Sequence, residues 1–390
     1  MVRIFLTGDN HLGLRYSGHE KGGQIAQCRL DALEEMAAIA NREECNLFVV
    51  AGDLFEGLSV SKEVVGRAVK ALAGFGGEIA ILPGNHDFCN MENALSKNLW
   101  ENVMDAAKGS HQITLLTENK PYSYELPVGE DGEDCPVVLY PAPCSARHSA
   151  KNNLGWIAEL DLDGEEEAAG YRIGIAHGSV RGETIDSEEE YFPMTREELE
   201  EIPMDVWLVG HTHVPFPKAE SLSEKEFRKT DERVFNAGTH VQTDVNCNTE
   251  GLCFIIEIDE EKNVSVKKVV TGNVRFYRPE VKVSPGKLES ELRDALKGFA
   301  KSSVVEVSLK GVVSEEEYMN RSEIINTALE RFLEGRLRSD ETCREITEAR
   351  IDSEFPETSF SARLLKSLIS KPSEARRLYN LLNELKGQRK

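Results

Sequence analysis

The sequence predicts an α/β protein: a four-layer α/β/β/α sandwich, then a small βαβαβ unit and C-terminal helices. Three observations predict it. Short apolar runs of strand type recur in RIFLTGDNHLG, FVVAGDLFEG, IAILPGNHDF, RIGIAHGSV and VWLVGHTHV, and each ends in Asp, Asn or His side chains. The first three runs are separated by stretches of helical period, the β-α-β-α-β order of a parallel sheet with crossover helices. Later in the chain, short alternating strands around acidic, Gly-containing turns point to a second sheet.

Taken in order, residues 2–6 form the first strand, and residues 24–45 a helix with Ile25, Cys28, Leu33, Met36, Ala37 and Ala40 on one stripe. Phe48 to Ala51 is a buried strand, and Gly52 breaks it without a Cβ clash. A helix over 62–73, a strand over 78–82 ended by Pro83-Gly84, and a helix over 91–107 follow. After Ile113, residues 122–126 and 136–140 read as antiparallel strands of the second sheet, and 172–176 and 206–209 return to the apolar type. Thr195-x-x-Glu198 is a capping box opening a short acidic helix. Residues 234–236, 252–258 and 264–270 are the late strands.

A boundary near Arg278-Pro279 divides domains at 1–277, 278–352 and 353–390. Ser284-Pro285 reads as an N-cap with Pro at the first helical position, for a helix reaching about 300. A strand over 304–309, a helix capped by Ser314-x-x-Glu317 and a strand over 343–351 complete the second domain. Residues 361–385 form two amphipathic helices interrupted at Lys371-Pro372. Their stripes, Leu364, Leu365, Leu368 and Ile369, then Leu378, Leu381, Leu382 and Leu385, need a surface to dock on. Residues 353–390 carry eight Lys/Arg against four Asp/Glu, so an acidic surface is the expected one, in this chain or a partner.

A hydrophobic fraction of 40% and a charged fraction of 29% describe an ordinary globular chain. With no basic, apolar leader and no long apolar run, the expectation is a cytoplasmic protein without membrane contact. The eight scattered cysteines form no C-x-x-C pair and read as reduced, mostly buried thiols; Cys89, beside the third motif, reads as a free thiol. The net charge of −22 excludes a general nucleic-acid coating protein. Much of that charge sits in residues 130–134, 159–167 and 183–201, read as solvated loops or helix faces, whereas 145–153 carries Arg147, His148 and Lys151 without an acid.

The strand-end residues read together as one two-metal site. A carboxylate such as Asp53, at the carboxyl edge of a buried strand, requires a compensating cation. Asp53 is the expected bridging ligand: Asp9, His11 and His213 complete one ion with it, and Asn85, His177 and His211 the other. Mixed O/N ligation without thiolate suits Mn, Fe or Zn over Mg or Ca. Two such ions clamp the attacking and leaving oxygens of an in-line phosphoryl displacement. His86 is the candidate for protonating the leaving oxygen, with Asp87 orienting it. Each motif taken alone is also compatible with ordinary turn chemistry; their conjunction points to metal. His19, His111 and His240 read instead as loop or surface residues.

At these residues the chain resembles the calcineurin-like metallophosphoesterases, whose signature DNH, GD, GNHD, H and GHTH reproduce in order. HLG after the first motif and GDLF at the second resemble the SbcD-type DNA double-strand-break repair nucleases. NAGTHVQTDVNCNTEGLCFIIEID resembles that family's strand-turn-strand exit from the nuclease domain, and the βαβαβ unit stands where its DNA-capping domain stands. The resemblance covers about residues 1–350. It implies a metallophosphoesterase sandwich holding two divalent ions, Mn2+ first, and a 3′-to-5′ exonuclease and single-strand endonuclease acting on DNA. It also implies a homodimer and an SMC-like coiled-coil ATPase of SbcC type, whose coiled-coil base would receive the C-terminal helices. The expected dimer contact is a four-helix bundle built on Val65, Leu99 and Trp100. His240 departs from the pattern, standing where the family usually has a small residue, and the overall acidity is unusual for a DNA-binding subunit. A phosphodiesterase or phosphatase for nucleotides or other small molecules is the alternative activity, and a catalytically degenerate binding scaffold the alternative of another class.

Overall fold

The computed structural model of the chain opens with β1 (Val2–Thr7), which pairs in parallel with β2 (Leu47–Ala51), Ile4 opposite Leu47 and Thr7 opposite Val50. Apart from Arg3 and Thr7, both strands are apolar because both faces are buried. Phe5, Phe48 and Val50 point to a helical layer, while Ile4, Leu6, Leu47 and Val49 point to the second sheet. The structure describes residues 1–110, 112–128, 133–162, 170–182, 190–247 and 249–387. It divides into two compact units, Met1–Phe276 and Tyr277–Lys390.

In the first unit α1 (Gly22–Arg42), α2 (Lys62–Leu72) and α3 (Ala94–Ala106) alternate with β2, β3 (Glu78–Leu82) and β4 (Ile113–Leu115). Helix α1 stops short of residue 45 because Glu44 adopts φ 54°, a left-handed conformation that ends a helix. Helix α3 starts only at Ala94, since the Asn93 side chain accepts the Leu95 and Ser96 amides at 3.0 and 3.1 Å. Strand β4 still belongs to the first sheet, beside β3. Then come β5 (Tyr122–Val128), β6 (Glu133–Ala142), α4 (Gly155–Ala158), β7 (Tyr171–His177), α5 (Arg196–Glu201), β8 (Val206–Gly210), β9 (Arg228–Thr230), β10 (Val234–Phe235), β11 (Leu252–Ile258) and β12 (Val264–Val270). The capping box expected at Thr195 and Glu198 opens α5.

The first sheet runs β4-β3-β2-β1-β11-β12-β9, and the second β10-β8-β7-β6-β5. Between the sheets Ile4, Val49 and Leu82 meet Val137, Ile173, Ile175 and Leu208, all fully buried. Helices α1–α3 cover the outer face of the first sheet, and α4 and α5 that of the second around Trp207 and Val209. This is the four-layer α/β/β/α sandwich. Val65, Leu99 and Trp100, expected on a dimer surface, are instead at most 1% exposed in the core beneath α2 and α3. Their stripes face this chain's own sheet, and Trp100 also donates its indole N–H to the Asp87 carbonyl at 2.9 Å.

A short strand, β13 (Phe276–Tyr277), lies at the division. The second unit is a parallel βαβαβ: β14 (Glu280–Val283), α6 (Leu288–Leu296), β15 (Val304–Val313), α7 (Glu315–Leu329) and β16 (Glu334–Arg344), with β15 central. Ser284 does not cap α6. Gly286 takes φ 76°, and the Glu317 carboxylate accepts the Gly286 and Leu288 amides, each at 2.8 Å, while closing the capping box of α7. The strand expected over 343–351 lies earlier, in β16; Thr347 caps α8 (Glu348–Glu354), accepting the Arg350 amide at 3.2 Å. Helices α9 (Phe360–Ser367) and α10 (Pro372–Gly387) follow. Leu365, Ile369, Leu378 and Leu382 gather with Ile351 of α8 and Phe355 just after it, whereas Leu381 and Leu385 stay 53% and 50% exposed. Each stripe is thus only partly closed within this unit: Leu364 and Leu368 of the first are half-buried, and Leu381 and Leu385 of the second stay exposed.

All eight cysteines are free thiols; Cys45, Cys144 and Cys253 are buried and the others half-buried, so burial is less complete than expected. Among the described residues no helix is long and apolar enough to cross a membrane. His111 and residues 130–132, 163–167 and 183–189 of the acidic stretches lie outside the described residues.

Candidate metal centre

Five parallel strands end at one edge of the sandwich and deliver the motif side chains there. Strand β1 leads to Asp9 and His11, β2 to Asp53, β3 to Asn85 and His86, β7 ends at His177, and β8 leads to His211 and His213. Four of these residues leave their strands with positive φ: Asp9 at 50°, His11 at 45°, Asp53 at 51° and His211 at 104°. Non-glycine residues avoid this region, so the surrounding packing holds it against a local cost of order 1–3 kcal/mol each. Gly52 is obligatory for a different reason. At φ 91° a Cβ there would lie 2.0 Å from His177 Nδ1, so only glycine lets the two sheets' ends approach.

The side chains form three interlocking groups: Asp9 with His11 and His213, His11 with Asp53 and His86, and Asp53 with His177 and His211. His177 Nε2 stands 3.3 Å from Asp53 Oδ2 and 3.1 Å from Asn85 Oδ1. His211 Nδ1 is 3.0 Å from the same amide oxygen, and His11 Nε2 is 3.0 Å from His213 Nε2. Asp9 receives the His211 amide on both oxygens, at 3.0 and 3.1 Å. Asp87 does not join a group; its oxygens accept the Gly84 and Phe55 amides at 2.7 and 2.9 Å and brace the turn carrying Asn85 and His86.

The donor set fits divalent ions. His177 Nδ1 is 2.9 Å from the Ala51 carbonyl, which can only accept, so Nδ1 carries the ring proton. In the neutral ring Nε2 then offers a lone pair, facing a carboxylate oxygen and an amide oxygen. Three acceptors converging in a buried space require a cation. Electrostatics agree. Burial disfavours a charged His177, yet Asp53 outweighs it and raises the imidazole to about 9, so a proton takes up the cation's role. Burial likewise opposes charge on Asp53, but His177 and His11 hold its carboxyl below the usual range. Burial, with the Asp53 charge adding to it, pushes Asp9 and Asp87 up to about 7. His213 is pushed down to about 3 by burial and His11, the neutral state a ligand needs.

The calcineurin-like phosphoesterase family model matches residues 2–215. The chain belongs to that family. Calcineurin-like phosphoesterases are metal-dependent hydrolases, and the convergent acids and imidazoles are candidate ligands for divalent ions. No curated protein matches the chain. Among solved structures, the protein TT1561 of Thermus thermophilus is 10% identical with a TM-score of 0.42, over 69% of this chain and 99% of that one. A dimetal phosphatase of Danio rerio is 13% identical with a TM-score of 0.36, over 69% and 98%. Neither likeness is close enough to carry an argument.

In this phosphoesterase three residues near the site were not legible as parts of it. Arg29 of α1 is 1% exposed and spends its guanidinium on the carbonyls of Asn10, Val241 and Gln242 and on the Thr239 hydroxyl, at 2.7–3.2 Å. It thereby ties the first motif loop to the 239–242 loop. His240, expected at the surface, is fully buried and donates from Nε2 to the Arg29 carbonyl at 3.0 Å. Glu56 lies 2.9 Å from His11 Nδ1. Its position three residues after Asp53 was the only available signal. His19 is half-buried, edge-on to Tyr16 and Phe276, and His148 stays exposed against Tyr191. The Cys89 thiol, pushed up to about 11 by burial and Asp87, is protonated and joins no ligand group.

Proposed function

We propose that the chain is a two-metal phosphodiesterase acting on nucleic-acid strands, a DNA repair nuclease like the SbcD-type enzymes it resembles. The observation that supports this reading is the shape of the site. A chamber of about 300 Å³ is lined by His11, Asp53, His86, His211 and His213. It shares Leu14, Tyr16 and Glu56 with a recess of about 910 Å³, and His213, Thr243 and Asp244 with one of about 630 Å³. Two larger recesses bordering the chamber offer room for a chain extending beyond the reacting group, which suits a phosphodiester within a strand better than a terminal phosphate.

When bound, two divalent ions would polarise the phosphoryl oxygens and lower the pKa of a water; manganese is the ion the resemblance favours. Asp53 would sit between them, with Asp9, His11 and His213 on one side and Asn85, His177 and His211 on the other. His86, half-buried at the chamber wall, holds a ring that can carry a proton toward the leaving oxygen. Asp87 keeps that turn in place through the Gly84 amide. A homodimer and an SMC-like coiled-coil ATPase complete the proposed assembly, with exposed Leu381 and Leu385 of α10 offered to the ATPase.

The acidic chain favours a second reading, a small-molecule phosphodiesterase or phosphatase, because Glu56 and Asp244 also line the chamber and repel a polyanion. The discriminating assay compares a bis-aryl phosphodiester, an aryl phosphomonoester, linear duplex DNA and single-stranded DNA, each with Mn2+. The nuclease reading expects diester and DNA cleavage, both abolished in Asp53→Ala. Faster monoester hydrolysis with intact DNA supports the second reading. Absence of any turnover and of metal binding leaves only a scaffold.

A further inference from the structure

We propose that Glu56 is a positioning residue: its carboxylate orients His11, its carbonyl orients His86, and both imidazoles thereby present Nε2 to the metal site. The inference rests on the two-metal reading above. Glu56 follows Asp53 on a segment tied to the first motif loop. The His11 amide donates to the Asp53 carbonyl at 2.9 Å, the Leu12 amide to Leu54 at 2.9 Å, and the Glu56 amide back to Leu12 at 3.1 Å. This short ladder fixes the Glu56 backbone beside His11.

His11 is almost fully buried, and its Nδ1 has no aligned hydrogen-bond partner. Glu56 Oε2 is nevertheless 2.9 Å away, on a side chain that is 35% exposed and free to adjust. A carboxylate only accepts, so closing this contact places the ring proton on Nδ1 and the lone pair on Nε2, the atom beside His213 Nε2 and 4.0 Å from Asp53 Oδ2. His86 Nδ1 lies 3.0 Å from the Glu56 carbonyl, which imposes the same tautomer there. One residue thus sets two rings by two different atoms. Carboxylates behind a ligating histidine raise its basicity and fix its direction. The side-chain and backbone roles are separable, since only the first is lost on substitution.

The test uses the full chain and Mn2+ alone, titrated by calorimetry into wild type, Glu56→Ala and Glu56→Gln, with long-range 15N spectra of the metal-free imidazoles. Glu56→Ala should weaken one of two ions by about 10–100-fold and spare the other. Glu56→Gln keeps an acceptor oxygen and should recover most of the loss. In the spectra His11 should leave the Nδ1–H form in Glu56→Ala while His86 keeps it. If Glu56→Ala does not fold, Glu56→Asp, which withdraws the oxygen, must show the same selective loss. Unchanged affinity for both ions overturns the proposal, as does equal weakening of both, or equal damage by Gln and Ala. A wild type that binds fewer than two ions refutes the two-metal reading instead.

Discussion

A Cβ on Gly84 would lie 2.2 Å from Asp53 Oδ1. The turn bearing Asn85 and His86 closes directly onto the carboxylate, and the His86 backbone N–H donates to that same oxygen at 2.8 Å. Gly84→Ala must therefore push the turn away from Asp53. The expected outcome is a loss of roughly 1–3 kcal/mol in stability, the range for overpacking, together with reduced metal content. Thermal melts and elemental analysis check it; an Ala variant with wild-type values would show slack in this turn.

Chelation should lower the melting temperature. Asp9, Asp53 and Asp87 are all at most 1% exposed and crowd one site, and bound cations relieve their repulsion. An ion present at a hundred times its Kd stabilises by about 2.7 kcal/mol. Calorimetry with and without EDTA measures the effect. Identical transitions would mean that the folded chain holds no ion.

His86→Gln should retain both ions and lose about 10²–10⁴-fold in diester turnover, the range for removing a general acid. His86 stands close enough to His11 and Asp53 to ligate as well, so metal titration is the decisive companion measurement. Loss of an ion in this variant would reassign His86 as a ligand.

Arg29→Met should cost at least about 3 kcal/mol, because it strands the Asn10, Val241 and Gln242 carbonyls in a buried space. Arg29→Lys should not rescue it, since one ammonium cannot span a fork of acceptors. A chemical denaturation midpoint within error of wild type for either variant would remove Arg29 from this role.

In the second unit, Glu306 is buried between Arg278 and Arg336, and its contact with Arg278 is 2.7 Å. Burial opposes its charge, but the two guanidinium groups hold the carboxyl below its usual value. A depressed folded-state pKa stabilises above the unfolded pKa, about 4.3 for Glu, and the contribution is lost as pH falls through the folded value. Both arginines are a third or more exposed, so the contribution at neutral pH is about 1 kcal/mol. Glu306→Gln should melt below wild type at pH 7, and the gap should close on acidification below pH ~4. A gap that widens in acid would contradict the assignment.

The sequence by itself determined the five motif-bearing strands, their order along the chain and the identity of the groups at their ends. Short apolar runs and glycine-broken turns are local signals, so the motif residues from Asp9 to His213 could be recognised without coordinates. Capping boxes at Thr195 and Ser314 were legible for the same reason. Tertiary structure decided which apolar stripes are free. Val65, Leu99 and Trp100 look alike as surface or core in one dimension, and only the sheet beneath them settles that they are core. It also decided helix and strand ends around Ser284 and Thr347, where Glu317 and a parallel register compete with local propensity. Arg29, His240 and Glu56 acquired their places only in three dimensions. Their partners lie on chain segments brought together by sheet packing, and a buried charge or imidazole carries no periodic trace of the acceptor it will meet.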